Sequence, residues 1–406
     1  MLLVTGVAPG RGGVGREYLR AACRLLPADR VSVFSLDPEG PAAADPALSD
    51  VVIHHEPPLD ERGGGVAGET HWRWLRHLNE RRIERNEIPP LVEKIAAFGR
   101  ERSAGCVWAP LHSPTTIRIA KPVAEALGVP LLVTVWDPPN DKLRQFGIGR
   151  RMRASLLRQF DATVRYARSC SAASDPMRDL YRRLYNTPTV TMILGAPRPS
   201  GLRSPDEQGT FRIGFAGSLY AAREFESLCA GLDAANWVLR GREVRLEMYG
   251  DHEKLAASRP GRIRSHGWCD PADTVRGLSV CDIAYLPYWF ARRRREVVEV
   301  SFPGKLAAYA AARTPVLYHG PSYASPVRFL ERHPMGRVCA TLSAKEVRKA
   351  LESMAEDGSW RTRARGACDR AYESELSADV FSCRFAEFLG VNVEDLLILD
   401  ACRSTV

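Results

Sequence analysis

The sequence predicts an α/β protein with two domains, each built on a parallel sheet with helices on both faces. In the first half, short apolar runs alternate with helical patterns. A parallel sheet needs a crossover between successive strands, and this alternation supplies it. The second half repeats the alternation from Phe211 to about Val338, and 406 residues with 45% apolar composition are enough for two cores. The strands predicted in the first half are 2–5, 31–36, 51–54, 106–110, 131–135, 163–166 and 190–194.

A segment rich in proline and glycine separates the two halves. Residues 195–201 (GAPRPSG) have the composition of an interdomain linker. We therefore expect an N-terminal domain over 1–198 and a C-terminal domain over 199–375. The remainder, 376–406, contains a helical pattern at 378–389 and is expected to be a separate helical segment.

The formal charge of +9 comes mainly from arginine and is concentrated in two places. Residues 142–168 place arginines around Met152, Leu156 and Phe160 at helical spacing, which predicts a basic amphipathic helix. Arg292–Arg295 follow three aromatic residues and are predicted to form a loop. No nucleic-acid motif accompanies either cluster, so we expect contact with a membrane surface or an acidic substrate, with a solvated face as the alternative.

The N-terminus lacks the pattern of a signal peptide, and no apolar run approaches the length of a bilayer span. We therefore expect a cytoplasmic protein. Peripheral contact with the inner face of the membrane would use the basic helix at 142–168.

One segment near residue 300 combines a helix start, a short helix and a buried strand. Ser301 suits the N-cap of the helix, Pro303 suits its first turn, and the alanine-rich run that follows favours helix. Lys305 then lies in the first turn, where the helix dipole disfavours a cation unless an anion binds between it and the exposed amides. These residues indicate a phosphate site, although a solvated lysine on a surface helix would show the same pattern.

Other short motifs place this segment in a larger context. In chain order they are 211–219 (FRIGFAGSL), 245–251 (RLEMYGD), 266–268 (HGW), 273–278 (DTVRGL), 281–287 (CDIAYLP) and 301–317. Their order and spacing resemble the donor domain of GT-B glycosyltransferases, especially the retaining family 4. The resemblance covers roughly residues 210–320. It implies two Rossmann-like domains facing a central cleft, with the last helices crossing back to the N-terminal domain.

The resemblance implies that the second domain binds a nucleotide-diphosphate sugar. Arg223 and Lys305 would face the diphosphate. This family stabilises the departing diphosphate with cations in place of a metal, so we expect a metal-independent, retaining enzyme with no cofactor beyond its donor substrate. The neighbouring backbone would contact the donor at Gly217, Ser218, Gly250, Phe302, Pro303 and Gly304.

Three positions in the N-terminal half complete the implied site. Gly12 and Gly13 lie in a glycine-rich turn after the first strand, where backbone can approach the donor or the acceptor. His112 and Asp137 each follow an apolar strand and would orient the acceptor, or serve as general base if the enzyme inverts. For His112, a hydrogen bond within its own turn is the alternative.

The sequence departs from the family pattern at the usual pair of glutamates. Val300 and Ala308 occupy those positions, so the carboxylate that normally contacts the ribose is missing. Glu299 is our candidate for replacing the first glutamate, with Glu296 as the second choice. Trp136 takes the place of a histidine found in many relatives. These losses motivate an alternative in which the chain is a non-catalytic binding or partner subunit.

A further alternative comes from the loop after the first strand. Gly10, Gly12 and Gly15 match the G-x-G-x-x-G fingerprint of NAD-dependent dehydrogenases, and Asp37 lies where a ribose-binding acid is expected. However, residues 7–9 separate the strand from the first glycine, and a dehydrogenase would not explain the second half. We therefore favour a glycosyltransferase acting on a lipid-linked, polysaccharide or natural-product acceptor. The donor base, the sugar, the acceptor and the oligomeric state stay open.

Overall fold

The chain divides into two compact units in a computed structural model that describes residues 1–40, 45–60, 73–206, 208–394 and 396. One unit comprises Met1–Met192 with Ser382–Val406, and the other comprises Ile193–Phe381. The first boundary falls just before the segment identified as a linker. The boundaries drawn from the sequence, at 198 and 375, lie a few residues from those of the two units.

The first unit is built on a seven-stranded sheet in which every neighbouring pair is parallel. Its strands are β1 (Leu2–Thr5), β2 (Ser32–Ser35), β3 (Val52–His55), β4 (Val107–Pro110), β5 (Leu131–Val135), β6 (Ser169–Ala172) and β7 (Thr189–Thr191), in the order β3-β2-β1-β4-β5-β6-β7. Its helices are α1 (Val14–Arg24), α2 (Arg73–Arg82), α3 (Ile88–Glu101), α4 (Pro114–Leu127), α5 (Pro139–Gln145), α6 (Arg150–Tyr166) and α7 (Asp175–Tyr185).

The strand predicted at 163–166 is wrong, because these residues form the last turn of α6. Thr163 and Val164 are buried on the same side of the helix as Phe160, so the helical period simply continues. The strand that does lie here is β6, whose sequence SCSA has the small polar residues that gave no strand pattern. All four of its residues are nevertheless buried.

The single basic helix predicted at 142–168 is also wrong, because the segment forms two helices, α5 and α6. Gly147 has a φ of +73° just after the end of α5, and Gly149 is the N-cap of α6. A left-handed glycine of this kind ends a helix without steric cost.

The second unit has its own sheet, in the order β11-β10-β8-β12-β13-β14, with β9 antiparallel to β10. The strands are β8 (Phe211–Ala216), β9 (Val238–Leu239), β10 (Arg242–Tyr249), β11 (Ile263–Ser265), β12 (Ile283–Pro287), β13 (Val316–His319) and β14 (Gly336–Cys339). The helices are α8 (Ala222–Asp233), α9 (Glu253–Ser258), α10 (Pro271–Ser279), α11 (Arg295–Val300), α12 (Lys305–Ala311), α13 (Ser325–Arg332), α14 (Ala344–Glu356) and α15 (Gly358–Ala371). Two repeats of strand and helix alternation therefore give two doubly covered parallel sheets, as predicted.

Two local predictions in this unit are wrong. The arginine run expected in a loop forms a 3-10 turn at Arg292–Arg294 that leads directly into α11. Ser301 does not cap the alanine-rich helix, since α12 begins four residues later and no side chain caps it. Instead, Ser301 ends α11 by donating its N–H to the carbonyl of Val297 at 2.8 Å.

Helix α16 (Ala378–Leu389) returns the chain to the first unit from Ser382 onward. The rings of Phe385 and Phe388 have centroids 5.5 and 6.1 Å from that of Trp108 in β4. The Trp108 indole is fully buried and donates a hydrogen bond to Thr134 Oγ1 at 2.8 Å. Burial of three aromatic rings holds this segment on the first sheet, which confirms the expected crossing of the C-terminal helix.

Two helix glycines of the second unit differ in the space around them, and we predict opposite effects of an added methyl group. A Cβ at Gly231 in α8 would lie 2.7 Å from the backbone oxygen of Ala344 in α14, so Gly231→Ala is expected to lower the free energy of unfolding by ~1–3 kcal/mol. The nearest atom to a Cβ at Gly366 in α15 is 3.7 Å away, and Gly366→Ala should raise stability by up to ~1 kcal/mol. Thermal unfolding of both variants measures the difference, and equal shifts would show that helix packing does not restrict Gly231.

Candidate functional site

The ends of β8 and β10 form a glycine-lined corner in the second unit. Gly217 follows β8 with a φ of +77°, and Gly250 follows β10 with a φ of +138°, conformations that L side chains rarely adopt. The N–H of Gly217 donates to Tyr249 O at 2.8 Å, and Nε2 of His252 lies 2.9 Å from Gly217 O. A Cβ on Gly250 would lie 3.2 Å from Gly217 O. Two of the predicted donor-site glycines therefore lie side by side.

Lys305 is directed at the same corner. Its Nζ donates a hydrogen bond to Ser218 O at 3.1 Å and lies 4.0 Å from the centroid of the Phe215 ring and 4.7 Å from that of Tyr220. Burial lowers the pKa of Lys305 to about 7. No carboxylate among the described residues lies within ion-pair distance of it. The lysine is thus partly desolvated and held by two ring faces and one carbonyl oxygen, without a counter-ion of the protein's own.

Tyr309 fixes the helix that carries Lys305. The tyrosine is fully buried, and its hydroxyl donates to Tyr285 O in β12 at 3.0 Å and accepts the N–H of Ala216 in β8 at 3.3 Å. One side chain therefore ties α12 to two adjacent strands, at the end of β8 and in the middle of β12. The position of the lysine relative to Ser218 follows from this attachment.

The predicted backbone contacts lie just before this helix. Phe302 packs against Phe329, with ring centroids 5.1 Å apart, while the carbonyls of Pro303 and Gly304 accept the N–H groups of the residues three positions later. In the part of the chain that the structure describes, the N–H groups of Phe302, Gly304 and Lys305 have no hydrogen-bond acceptor. Their role toward a donor stays a prediction.

Arg223 lies in the first turn of α8, the helix that follows the corner. Its guanidinium is exposed and has no hydrogen bond or ion pair with any described residue. Arg223 lies in the helix that follows β8, and Lys305 contacts Ser218, which also follows β8. Both cations are therefore placed near the end of this strand.

Glu299 occupies a different setting. Its Oε1 accepts a hydrogen bond from Nε of Arg295 at 2.8 Å, four residues earlier in α11, and both side chains are partly exposed. Of the two positions where the family has glutamates, Val300 ends α11 and Ala308 packs on the apolar core of this unit. The carboxylate of Glu299 therefore lies beside Val300, in a salt bridge with Arg295, whereas Ala308 itself has no carboxylate.

In the first unit, the glycine-rich turn lies between β1 and α1. Gly12 and Gly13 have φ values of +84° and +136°, and no atom lies within 4 Å of a Cβ built on either. Glycine is needed here for backbone conformation, since space is not limiting. By contrast, a Cβ on Gly15 would lie 3.1 Å from the Trp136 ring, so this glycine permits close packing.

His112 follows β4 and is neutral. Its Nδ1 lies 3.2 Å from Pro110 O, so this nitrogen carries the proton and donates it, and burial lowers the pKa of the imidazole to about 4. The hydrogen bond within the turn is therefore present, as the alternative from the sequence supposed. Among the described residues, Nε2 has no hydrogen-bond partner, and its lone pair is left as an acceptor.

Asp137 follows β5, the strand next to β4. Its carboxylate is partly exposed and lies 3.7 Å from Nζ of Lys142. Trp136 is the residue before Asp137. Its ring centroid lies 5.5 Å from that of His112 and 5.5 Å from that of Tyr18. The indole therefore fills the place of the family's histidine and forms one wall beside the imidazole.

The structure argues against the dehydrogenase alternative. Asp37 is 1% exposed, and its carboxylate accepts the N–H of Ala8 at 2.6 Å and that of Glu39 at 3.0 Å. Arg16 forms an ion pair with it at 2.7 Å. The acid that a dinucleotide ribose would need is thus already occupied in holding the loop after β1.

The sequence patterns did not predict that the rings of Tyr220 and Trp289 pack together beside Lys305. The Trp289 indole donates to Tyr220 O at 2.9 Å and lies 4.5 Å from the Tyr220 ring, centroid to centroid. The aromatic run at 288–290 was visible in the sequence, but its position depends on how β12 ends against the β8–α8 loop. Beyond it, a cavity of about 560 Å³ is lined by Phe290, Arg292, Arg295, Pro321 and Tyr323.

The described residues include no group of three or more His, Cys, Asp or Glu side chains arranged to hold a metal ion. Within the same residues, no helix is both long and apolar enough to cross a membrane.

Comparisons with known proteins identify the fold. No family model matches the chain, and no curated protein matches it in sequence. Solved structures match it over nearly its whole length. They include HepE of Anabaena in complex with UDP and glucose, at 13% identity with a TM-score of 0.63, covering 96% of this chain and 99% of that one.

Two enzymes of sugar-phosphate synthesis match similarly well. Sucrose-phosphate synthase of Thermosynechococcus elongatus has 14% identity and a TM-score of 0.64, covering 96% of this chain and 98% of that one. The α,α-trehalose 6-phosphate synthase of Burkholderia multivorans has 12% identity and a TM-score of 0.62, covering 99% and 97%. At these identities the likeness confirms the GT-B fold that the sequence predicts. Membership of family 4 stays a prediction.

The burial of Lys305 predicts a pH-dependent stability difference. The pKa of Lys305 is about 7 in the folded protein against a usual value of 10.5, so between these pH values the unfolded chain binds the extra proton and stability rises with pH. Below pH 7 the cost of burying the charge is present in full. Lys305→Met removes this cost, so the variant's gain in melting temperature should be largest at about pH 6 and should shrink toward pH 10.

Lys345, exposed in α14, provides the matched control. Lys345→Met should give a difference in melting temperature that stays flat over the same pH range. A flat difference for Lys305→Met as well would contradict the burial assigned to its ammonium group.

Proposed function

We propose that this chain is a glycosyltransferase that binds a nucleotide-diphosphate sugar in its second unit and transfers the sugar to an acceptor hydroxyl. The observation that carries the proposal is Lys305, a partly desolvated ammonium group directed at Ser218 O without a carboxylate partner among the described residues. An anion bound at this corner would supply the missing counter-charge. The solved structures with UDP and UDP-glucose support a nucleotide-sugar ligand, because those proteins share this fold.

The chemistry follows from where charge develops. When the bond between the sugar and the diphosphate breaks, negative charge accumulates on the leaving phosphate, and cations placed there beforehand lower the barrier. Lys305 and the unpaired Arg223 supply two such cations at the end of β8. In a retaining, metal-independent reaction, the leaving phosphate oxygen itself takes the proton of the acceptor hydroxyl, so no separate base is needed.

The first unit offers acceptors of hydrogen bonds for the sugar-accepting substrate. Nε2 of the neutral His112 carries a lone pair that can accept a hydrogen bond from a hydroxyl group. Asp137 offers a carboxylate balanced in part by Lys142. In this proposal both residues orient the acceptor, and Glu299, if freed from Arg295, would contact the donor sugar.

We also propose that the chain works in the cytoplasm and contacts an anionic membrane surface through the arginines of α5, α6 and the residues that follow. In α6, Met152, Leu156 and Phe160 face the core of the unit. A row of arginines at an anionic surface contributes about 1 kcal/mol for each residue close to it. The exposed members are Arg144, Arg150, Arg151, Arg158, Arg165 and Arg168.

The non-catalytic alternative rests on the loss of glutamates at Val300 and Ala308. Donor binding without transfer to any of a panel of lipid-linked, polysaccharide and small glycoside acceptors, and without slow hydrolysis of the donor, would favour it. Transfer with retention at the anomeric carbon, read by proton NMR of the product, supports the enzyme. An inverted product would instead assign the role of general base to His112 or Asp137.

The titration of Lys305 predicts how donor binding depends on pH. A nucleotide sugar has two diester phosphates that stay fully ionised, and its binding favours the charged ammonium, so binding takes up a proton above pH 7. The dissociation constant should therefore rise by up to about tenfold for each pH unit above 7. Isothermal titration calorimetry at pH 6, 7 and 8 with UDP-, GDP-, ADP- and dTDP-sugars measures it.

Lys305→Met should weaken binding at pH 6 and leave a nearly flat pH profile, whereas Lys345→Met should behave as the wild type. If every nucleotide sugar fails to bind the wild type, or if Lys305→Met binds one with unchanged affinity and pH dependence, the proposed function is wrong.

A further inference from the structure

The cavity beyond Trp289 has walls made of two aromatic rings, a proline and two guanidinium groups. It has a volume of about 560 Å³ and is lined by Phe290, Arg292, Arg295, Pro321 and Tyr323, all from the second unit. The lining comes from the segments that follow β12 and β13, adjacent parallel strands. Ligands in α/β folds bind at this end of parallel strands.

Arg292 is the cation of this cavity that has no partner among the described residues. Its guanidinium is exposed and makes no hydrogen bond or ion pair with any residue that the structure describes. Arg295 is partly engaged, since its Nε binds Glu299 at 2.8 Å and its guanidinium carbon lies 4.9 Å from the centroid of the Tyr323 ring. Among the described residues that line the cavity, two are arginines and none is a carboxylate. A planar guanidinium with free N–H groups suits a carboxylate or a phosphate.

A chain of aromatic contacts joins this cavity to Lys305. The Lys305 Nζ lies 4.7 Å from the Tyr220 ring, which lies 4.5 Å from the Trp289 ring. Phe290, the next residue, lines the cavity, and its N–H donates to Oε1 of the buried Glu224 at 2.8 Å. Glu224 lies in α8 immediately after Arg223. This hydrogen bond therefore joins the loop that contains Phe290 to the helix that follows the glycine-lined corner. These contacts therefore link the wall of the cavity to the corner at Lys305.

We infer that this cavity binds the anionic group of a sugar, a carboxylate or a phosphate, through Arg292, while the apolar face of the sugar packs on the rings of Phe290 and Tyr323. The inference rests on the proposed function. A sugar attached to a diphosphate at Lys305 would extend along the Tyr220–Trp289 contact toward this cavity. We therefore assign the anionic group to the sugar of the donor, which makes a nucleotide-diphosphate uronic acid the expected donor class.

The test compares two donors that differ only at one carbon. UDP-glucuronate and UDP-glucose share base, ribose and diphosphate, and the first has a carboxylate where the second has a hydroxymethyl group. We expect the wild type to bind UDP-glucuronate at least tenfold more tightly in isothermal titration calorimetry. Arg292→Met should remove most of this preference and change the affinity for UDP-glucose by less than twofold.

Arg293→Met is the matched control, because Arg293 is the next residue, is exposed and does not line the cavity. Arg293→Met removes one positive charge, as Arg292→Met does. A general electrostatic effect would therefore lower the affinity for UDP-glucuronate in both variants. Equal losses in the two variants, or a wild type that binds both donors equally, would overturn the assignment to the donor.

A third ligand separates the two sources of an anionic sugar. Glucose 6-phosphate carries the group on an acceptor-like molecule, and its binding can be measured alone with the protein saturated with UDP, which has no sugar to transfer. If Arg292→Met weakens this binding and leaves both donors unaffected, the anion belongs to the acceptor and the donor assignment is overturned. If Arg292→Met changes the affinity for none of the three ligands, the cavity is not an anion site.

The same experiments distinguish this inference from the proposed function. Failure of the proposed function shows as absence of binding for both UDP sugars and no effect of Lys305→Met. Failure of the inference alone shows as normal, Lys305-dependent binding of UDP-glucose with no role for Arg292.

Discussion

The contact on which the candidate site of the second unit depends is the one between the Lys305 ammonium, two aromatic rings and Ser218 O. A lysine at the first position of a short helix gains nothing from the helix dipole and loses hydration when it is buried. It stays in place because Tyr309 ties its helix to the end of β8 and the middle of β12. The strand ends, the left-handed Gly217 and the helix therefore form one assembly around a charge that lacks its own counter-ion.

The first unit is organised differently. Its buried Asp37 is paired with Arg16, and this ion pair holds the loop after β1. The groups that follow β4 and β5 are acceptors of hydrogen bonds, a partly buried, neutral imidazole and a partly exposed carboxylate. Cations without partners in one unit and acceptors of hydrogen bonds in the other match what a sugar transfer requires, a held anion and an oriented hydroxyl group.

The sequence predicted the fold well where the period of apolar residues was strong. Both sheets follow from the alternation of strand and helix patterns. The GT-B architecture and the crossing of the helix that contains Phe385 were implied by the resemblance that the order of motifs carries. The errors have local causes. The small polar residues of β6 concealed a buried strand, and Gly147 divided a helix whose basic pattern looked continuous. Ser301 looked like an N-cap because serine favours that position, but it ends the preceding helix α11, whose existence the sequence pattern did not show.

The site was predictable only in part. Gly217, Gly250 and Lys305 could be recognised in a single sequence. Glycines that follow strands indicate turns, and a lysine in the first turn of a helix is disfavoured by the helix dipole. The Tyr220–Trp289 contact and the Arg292 cavity were not, since they join loops that follow different strands and depend on tertiary packing. Likewise, no spacing rule could show that Asp37 is already bonded to Arg16 and the backbone of Ala8.

The measurement that tests the central claim most directly is a crystal structure of the full chain with a bound nucleoside diphosphate. We expect diphosphate oxygens within hydrogen-bond distance of Lys305 Nζ at the corner formed by Gly217 and Gly250, with Arg223 turned toward the same group. A diphosphate bound elsewhere, with Lys305 still donating only to Ser218 O, would contradict it.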